Sequence, residues 1–305
     1  ISDVEIFVRS DNNSINTKEF KKYLKIQKQD NLIDDQIVNI NSNFKINASI
    51  DDTFNVKKFS IKSDLNFDNL NINYRSNLIK KYLTSFDNKI AIKNPQILFE
   101  YSNDIINLHL DGKYLLKNKE DNFFIKYKGS KNNFELYSLL DLNESGLKIN
   151  EVQYLKKKNI PSKLEILLNK SIDSFNLEKI SFTENKNYIS VNNLYISDDF
   201  KIQSVDKIDV NFQNSKGIKN NFKIKKNSNN YQLIGNQIDG EKIIEKILNS
   251  NNENKFFNLF KNLNTSIILS LDNVYLEKNE YLKKFVGEFE IKNNKLFLAK
   301  LDGVL

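Results

Sequence analysis

One histidine and three adjacent aspartate pairs are the residues of this chain whose types could support catalysis. His109 sits in Asn107-Leu-His-Leu-Asp111. A nucleophile–base arrangement would have to use this imidazole, set beside an activated hydroxyl and oriented by a third group. His109 is out of phase with Leu108 and Leu110, so a strand puts it on the polar side, where it reads as a solvated side chain. With no cysteine and a single histidine, thiolate and histidine-based metal sites are excluded. The carboxylate pairs are Asp34-Asp35, Asp51-Asp52 and Asp198-Asp199. General acid–base work needs two carboxylates in different environments across a cleft. Adjacent aspartates at strand ends instead cap turns. No calcium-loop spacing occurs, and eight glycines leave no phosphate-cradling loop. The expectation is no enzyme, no cofactor and no metal.

The apolar residues carry the stronger signal. Val4 to Val8 reads as a strand, and Thr17 to Gln29 as a short helix with Phe20, Tyr23 and Leu24 at helical spacing. The period then becomes two. Phe44, Ile46, Ala48 and Ile50 alternate with polar residues, as do Phe59, Ile61, Leu65 and Phe67. At Asp68-Asn69 the apolar phase flips to Leu70, Ile72 and Tyr74, and a similar flip occurs at Asn192-Asn193. A flip with turn residues at the joint marks a hairpin or a bulge. Leu78, Ile79, Tyr82, Leu83 and Phe86 make one helical face. Alternation resumes through Ile97, Leu108, Phe123, Phe134 and Leu147, and Pro161 starts another strand. Further runs include Ile189, Ile208 and Phe222. The pattern predicts about eighteen strands in an extended meander.

Composition narrows the class. The chain has 305 residues, 39% of them hydrophobic, a supply that suits a thin sheet with one apolar face better than a thick core. About one residue in six is asparagine, the mark of an AT-rich coding sequence. Twenty-two phenylalanines and thirteen tyrosines at regular spacing argue against low-complexity disorder. The net charge is +7, from 46 basic and 39 acidic residues, but the lysines are dispersed among acids and asparagines. Nucleic-acid binding calls for a concentrated basic stripe, so no nucleic-acid partner is expected. No apolar run is long enough to span a membrane as a helix. The chain starts at Ile1 and contains no methionine, and it reads as a piece of a longer protein. No linker divides it. The expectation is a single elongated segment over residues 1–305, with a soft boundary near residues 216–230.

The last quarter, Tyr231 to Gly303, carries a resemblance. Gly235, Ile238, Asp239, Ile243 and Ile244 form a step in which Asp239 is placed to cap a helix. The apolar residues Ile247, Leu248, Phe256, Leu259, Phe260 and Leu263 follow at helical spacing, and long strand-like runs come after them. The closing Gly287-Glu-Phe-Glu-Ile, Lys295-Leu-Phe-Leu and Leu301-Asp-Gly303 continue the pattern. This stretch resembles AsmA-like proteins of the YhdP and TamB type. The resemblance implies a long, curved β-groove lined with hydrophobic residues, in a periplasmic protein tethered to the inner membrane of a Gram-negative bacterium. It implies an anchor that is missing here, a periplasmic or outer-membrane partner, and transport of phospholipid towards the outer membrane. It carries over no catalytic residues.

The fold expected is therefore mainly β: a long curved antiparallel sheet forming an open groove, with a few short helices. An antiparallel sheet with one apolar side must cover that side with something. Phospholipid acyl chains would do so in a groove. A closed sandwich or barrel, as in a structural or adhesive surface protein, would do so with its own residues, and this is the alternative. The expected lipid-lining residues are Phe123, Ile125, Phe134, Leu136, Ile267, Leu269, Phe289 and Leu298. Which parity faces inward is left open.

Overall fold

A computed structural model of the chain describes residues 2–19, 33–117, 119–242, 244 and 260–304. The chain forms two compact units, Ile1–Gly146 and Leu147–Leu305. Residues 216–230 lie inside the second of these.

The protein is mainly β and mostly antiparallel. The first unit holds β1 (Ser2–Asn16), β2 (Ile37–Ile50), β3 (Val56–Phe67), β4 (Asn69–Asn73), β5 (Lys89–Ser102), β6 (Ile105–Leu116), β7 (Lys119–Gly129) and β8 (Phe134–Asp141). Each pairs antiparallel with the next, except that β3 and β4 share β5 as partner. The second unit opens with a small hairpin, β9 (Leu147–Ile149) and β10 (Tyr154–Lys156). Its sheet runs through β11 (Ser162–Ser171), β12 (Ser174–Glu184), β13 (Asn187–Ser197), β14 (Ile202–Gln213), β15 (Lys219–Asn227), β16 (Asn230–Asp239), β17 (Thr265–Tyr275), β18 (Tyr281–Lys292) and β19 (Lys295–Val304). Among the described residues no pairing joins β1 to β8 or β11 to β19, so the strands of neither unit close on themselves into a barrel.

One pairing departs from the antiparallel expectation. β16 and β17 run parallel, with Leu233 beside Leu269. Parallel neighbours need a long crossover, and residues 240–264 supply it.

The phase flips in the sequence fall inside continuously paired strands, not at hairpin turns. At Asp68 the chain steps from β3 to β4 without leaving β5, whose Asn94 takes a left-handed φ of 45° and donates its N–H to the Asp68 carbonyl at 3.0 Å. Asn193 has φ 49°, and its amide donates to Asp206 at 3.0 Å. In both cases the register runs on unshifted and apolar faces apolar on either side of the flip: Leu65 with Ile97 and Leu70 with Ile92, Val191 with Ile180 and Leu194 with Leu177.

Glycine serves close approach at two of these pairings. A Cβ on Gly235 would lie 2.6 Å from the Phe222 Cα across the ladder. One on Gly129 would lie 2.5 Å from the Phe134 Cα, at a φ of 148°.

The described helices are short. α1 (Asn77–Tyr82) is capped by Ser76, whose Oγ accepts the Ile79 N–H at 3.1 Å. It stops before the full apolar face expected from Leu78 to Phe86, because Leu83 is already extended. Phe86 reaches the core from the turn that follows. Thr17–Glu19 begins the helix expected there; Phe20, Tyr23 and Leu24 lie outside the described residues, as do Ile243, Ile247, Leu248, Phe256 and Leu259.

Candidate functional site

Two of the three carboxylate pairs, Asp51-Asp52 and Asp198-Asp199, occupy turns, and Asp34-Asp35 lies just before β2. Asp51 accepts the N–H groups of Thr53 and Asn55 at 3.0 and 2.8 Å, and pairs with Lys57 at 2.9 Å. The Lys57 ammonium, followed by the turn hydrogen bonds, holds its carboxyl below the usual range. Asp199 accepts from the Ser197 hydroxyl and is shifted the same way for that reason. His109 lies on the polar side of β6, half-exposed, 4.0 Å from Asp111 and edge-on to the Phe124 ring. Among the described residues no group of three or more potential metal ligands comes together, and no helix is long and apolar enough to cross a membrane.

Register builds the apolar side row by row. In the first unit, Phe44 on β2 faces Ser63, which faces Phe99, then Leu108, Tyr127 and Leu136 on β8. The neighbouring row is Leu65, Ile97, Leu110, Ile125 and Ser138. In the second unit one row runs Ile166, Ile180, Val191, Ile208, Ile224, Leu233 and Leu269 across seven strands. At ~4.8 Å per strand that row is about 29 Å long. All of it but Leu269 is only half-buried.

The opposite side is mainly polar, with Phe7 and Leu98 exposed on it. Lys45 pairs with Glu5, Lys62 with Glu100 at 3.0 Å, and Lys179 with Glu165 at 2.7 Å. Exposed pairs of this kind contribute about 0–1 kcal/mol each, so they organise the surface more than they hold the fold. The first unit also holds a depression of about 680 Å³ bordered by Phe7, Lys45, Lys62, Leu98, His109 and Lys126. Phe44, Ser63, Phe99 and Leu108 border it as well.

Each apolar side is plugged at one end. In the first unit Phe86, Leu116, Phe123 and Leu142 are buried together with Ser145. Asp121 clamps that plug by accepting the N–H groups of Asn143 and Glu144 at 3.0 and 3.1 Å. Burial pushes its carboxyl up, outweighing those two hydrogen bonds. In the second unit the β9–β10 hairpin drives Tyr154 against Phe212 and Phe182, at 4.9 and 5.7 Å between ring centres. Asp239 lies beside this plug. Its carboxylate accepts from Asn214 at 2.7 Å and Gln153 at 3.1 Å, and takes the Glu241 N–H at 3.2 Å, the capping role expected of it.

The eight expected lining residues divide accordingly. Phe123, Ile125, Phe134 and Leu136 share the apolar side of the first unit, with Phe123 deep in its plug. Ile267, Leu269 and Phe289 share that of the second. Leu298 does not join them. It stands opposite Glu290, on the other side from Phe289, whose partner is Ala299. A register shift between Glu290 and Ile291 separates Leu298 from Leu296, which does face Ile291. Sequence reasoning passed over the plug residue Tyr154, whose local spacing carries no long-range signal, and Ser63, a small polar residue within an apolar row; it read Phe212 only as one more alternating strand position.

Compared with protein-family models, curated proteins and solved structures, the chain matches none.

Proposed function

We propose that this protein is a lipid-transport segment whose apolar β-groove shields phospholipid acyl chains from water. The observation that carries the reading is the half-buried row from Ile166 to Leu233, apolar at every strand and opposite a charged side. A monomeric surface seldom leaves so long an apolar strip without an occupant. Acyl chains lying along the rows would cover it while their headgroups stay wet. Each methylene so buried contributes about 0.8 kcal/mol. Because the contacts are many and alike, a chain can shift from one row position to the next without a deep trap. The role is non-enzymatic, and the resemblance of the last quarter to AsmA-like proteins supports placing it in the periplasm. There it would be tethered to the inner membrane and deliver phospholipid towards the outer membrane.

Lipid extraction of the protein purified from bacterial cells, followed by mass spectrometry, tests this. Phospholipid at a reproducible molar ratio is expected. Protein that carries none, and that takes up none from phospholipid vesicles, would overturn the reading in favour of a structural or adhesive β-protein.

A further inference from the structure

Ser63 is out of place in its row. Its cross-strand neighbours are Phe44 and Phe99, and the residues two along its own strand on the same side are Ile61 and Leu65. The side chain is 7% exposed, and its Oγ, shut off from water, has no hydrogen-bond partner. A hydroxyl buried in this way forfeits its bonds to water and receives nothing in return, so an alanine there would serve the fold at least as well. Groups that weaken a fold without local compensation are expected at functional sites, where a ligand can supply the missing partner.

We infer that Ser63 donates its hydroxyl hydrogen to the carbonyl oxygen of an acyl chain lying in the groove of the first unit. This rests on the lipid reading above and adds a chemical class to it: acyl carbonyl compounds over plain hydrocarbon or ether lipids. The chemistry fits the position. The flanking rings give the methylenes an apolar bed, and the hydroxyl marks where the one polar atom of the tail region comes to rest. Phe44 and Phe99 are only half-buried, so their rings can turn aside as the chain enters and expose the Oγ. A hydrogen bond made in such a dry setting is stronger than the same bond at a wet surface.

Binding of diester and diether phosphatidylcholine with identical chains isolates the carbonyl, since the two differ in those oxygens alone. The full chain is expected to prefer the diester about tenfold, the ratio that one hydrogen bond of ordinary strength produces. Ser63→Ala should bind both lipids at the diether level, and Ser63→Thr should keep the preference. Thermal unfolding of lipid-free Ser63→Ala should come at the same or a higher temperature than in the parent protein. Palmitic acid, measured alongside, separates the two sources of a carbonyl: Ser63-dependent binding of the free acid alone would assign the site to fatty acid. Equal binding of diester and diether by the parent protein, with no Ser63-dependent binding of palmitic acid, overturns the inference and leaves the lipid reading standing. So does a diester preference that survives in Ser63→Ala. Binding of none of the three lipids overturns both.

Discussion

The phenol of Tyr154 donates to the Glu184 carboxylate, tying the β9–β10 hairpin to the end of β12 where both side chains are closed off from water. The same ring packs edge-on against Phe212 and Phe182. The hairpin has only three residues in each strand and could not persist alone. Tyr154→Phe keeps the packing and removes the donor. It should lower stability by about 1–3 kcal/mol, the cost of leaving a buried acceptor short of a partner. Urea unfolding would report this as a lower midpoint with an unchanged slope.

Alkaline pH should act on the same plug. Burial, and then Glu184, push the Tyr154 phenol well above its ordinary value of 10.0. Burial, with Asp121 and Asp141, does the same to Tyr114 in the first unit, whose hydroxyl donates to the Asp141 carbonyl. A phenol raised in this way keeps its proton in the fold after the unfolded chain has lost it. Its contribution to stability is therefore complete below about pH 10 and declines as pH rises beyond that. Phenolate absorbance should show Tyr114 and Tyr154 titrating only together with unfolding. Early titration of either in the folded protein would contradict the burial described here.

Asp239 gathers the hydrogen bonds that join the end of β16 to its surroundings. Its carboxylate accepts from Asn214, Gln153 and the Glu241 N–H, and its own N–H donates to the Asn220 side chain at 2.8 Å. Asp239→Ala strands several buried donors at once and should cost about 3 kcal/mol. Asp239→Asn retains an acceptor oxygen and should cost less than half of that. Thermal unfolding of the two variants side by side would check the order.

How far this structure could be read from sequence depends on where a local pattern suffices. Alternation through Phe123, Ile125 and Tyr127 announces a strand with one apolar side, and the pleat obliges it. The flips at Asp68 and Asn193 are visible as changes of phase with turn-forming residues at the joint, although ruling out a hairpin requires the partner strand. Leu298 shows the limit. Its spacing from Leu296 looks like one apolar side, but the register shift against β18 sends it to face Glu290. Parity along a strand says nothing of what the neighbouring strand does. The parallel pairing of β16 with β17 and the burial of Tyr154 against Phe212 are likewise long-range outcomes, set by packing between segments far apart in the chain. Ser63 was overlooked because an isolated serine among apolar positions carries no pattern of its own.

The opposed sides of Phe289 and Leu298 allow the lipid reading to be tested without altering net charge. Both are half-buried apolar residues on adjacent strands, and only Phe289 shares a side with Ile267 and Leu269. Threonine suits a pleated strand and introduces no charge, so each replacement removes apolar surface from one side with little change to the backbone. Losing most of a phenylalanine's contact with an acyl chain costs roughly 1.5 kcal/mol, about tenfold in affinity. Phe289→Thr should therefore weaken retention of a fluorescent phospholipid by about that factor, while Leu298→Thr leaves it within about twofold. Circular dichroism of both variants would confirm that the sheet survives. Equal losses in the two variants would mean that the lipid does not distinguish the sides, and a loss in Leu298→Thr alone would place the acyl chain on the charged side instead.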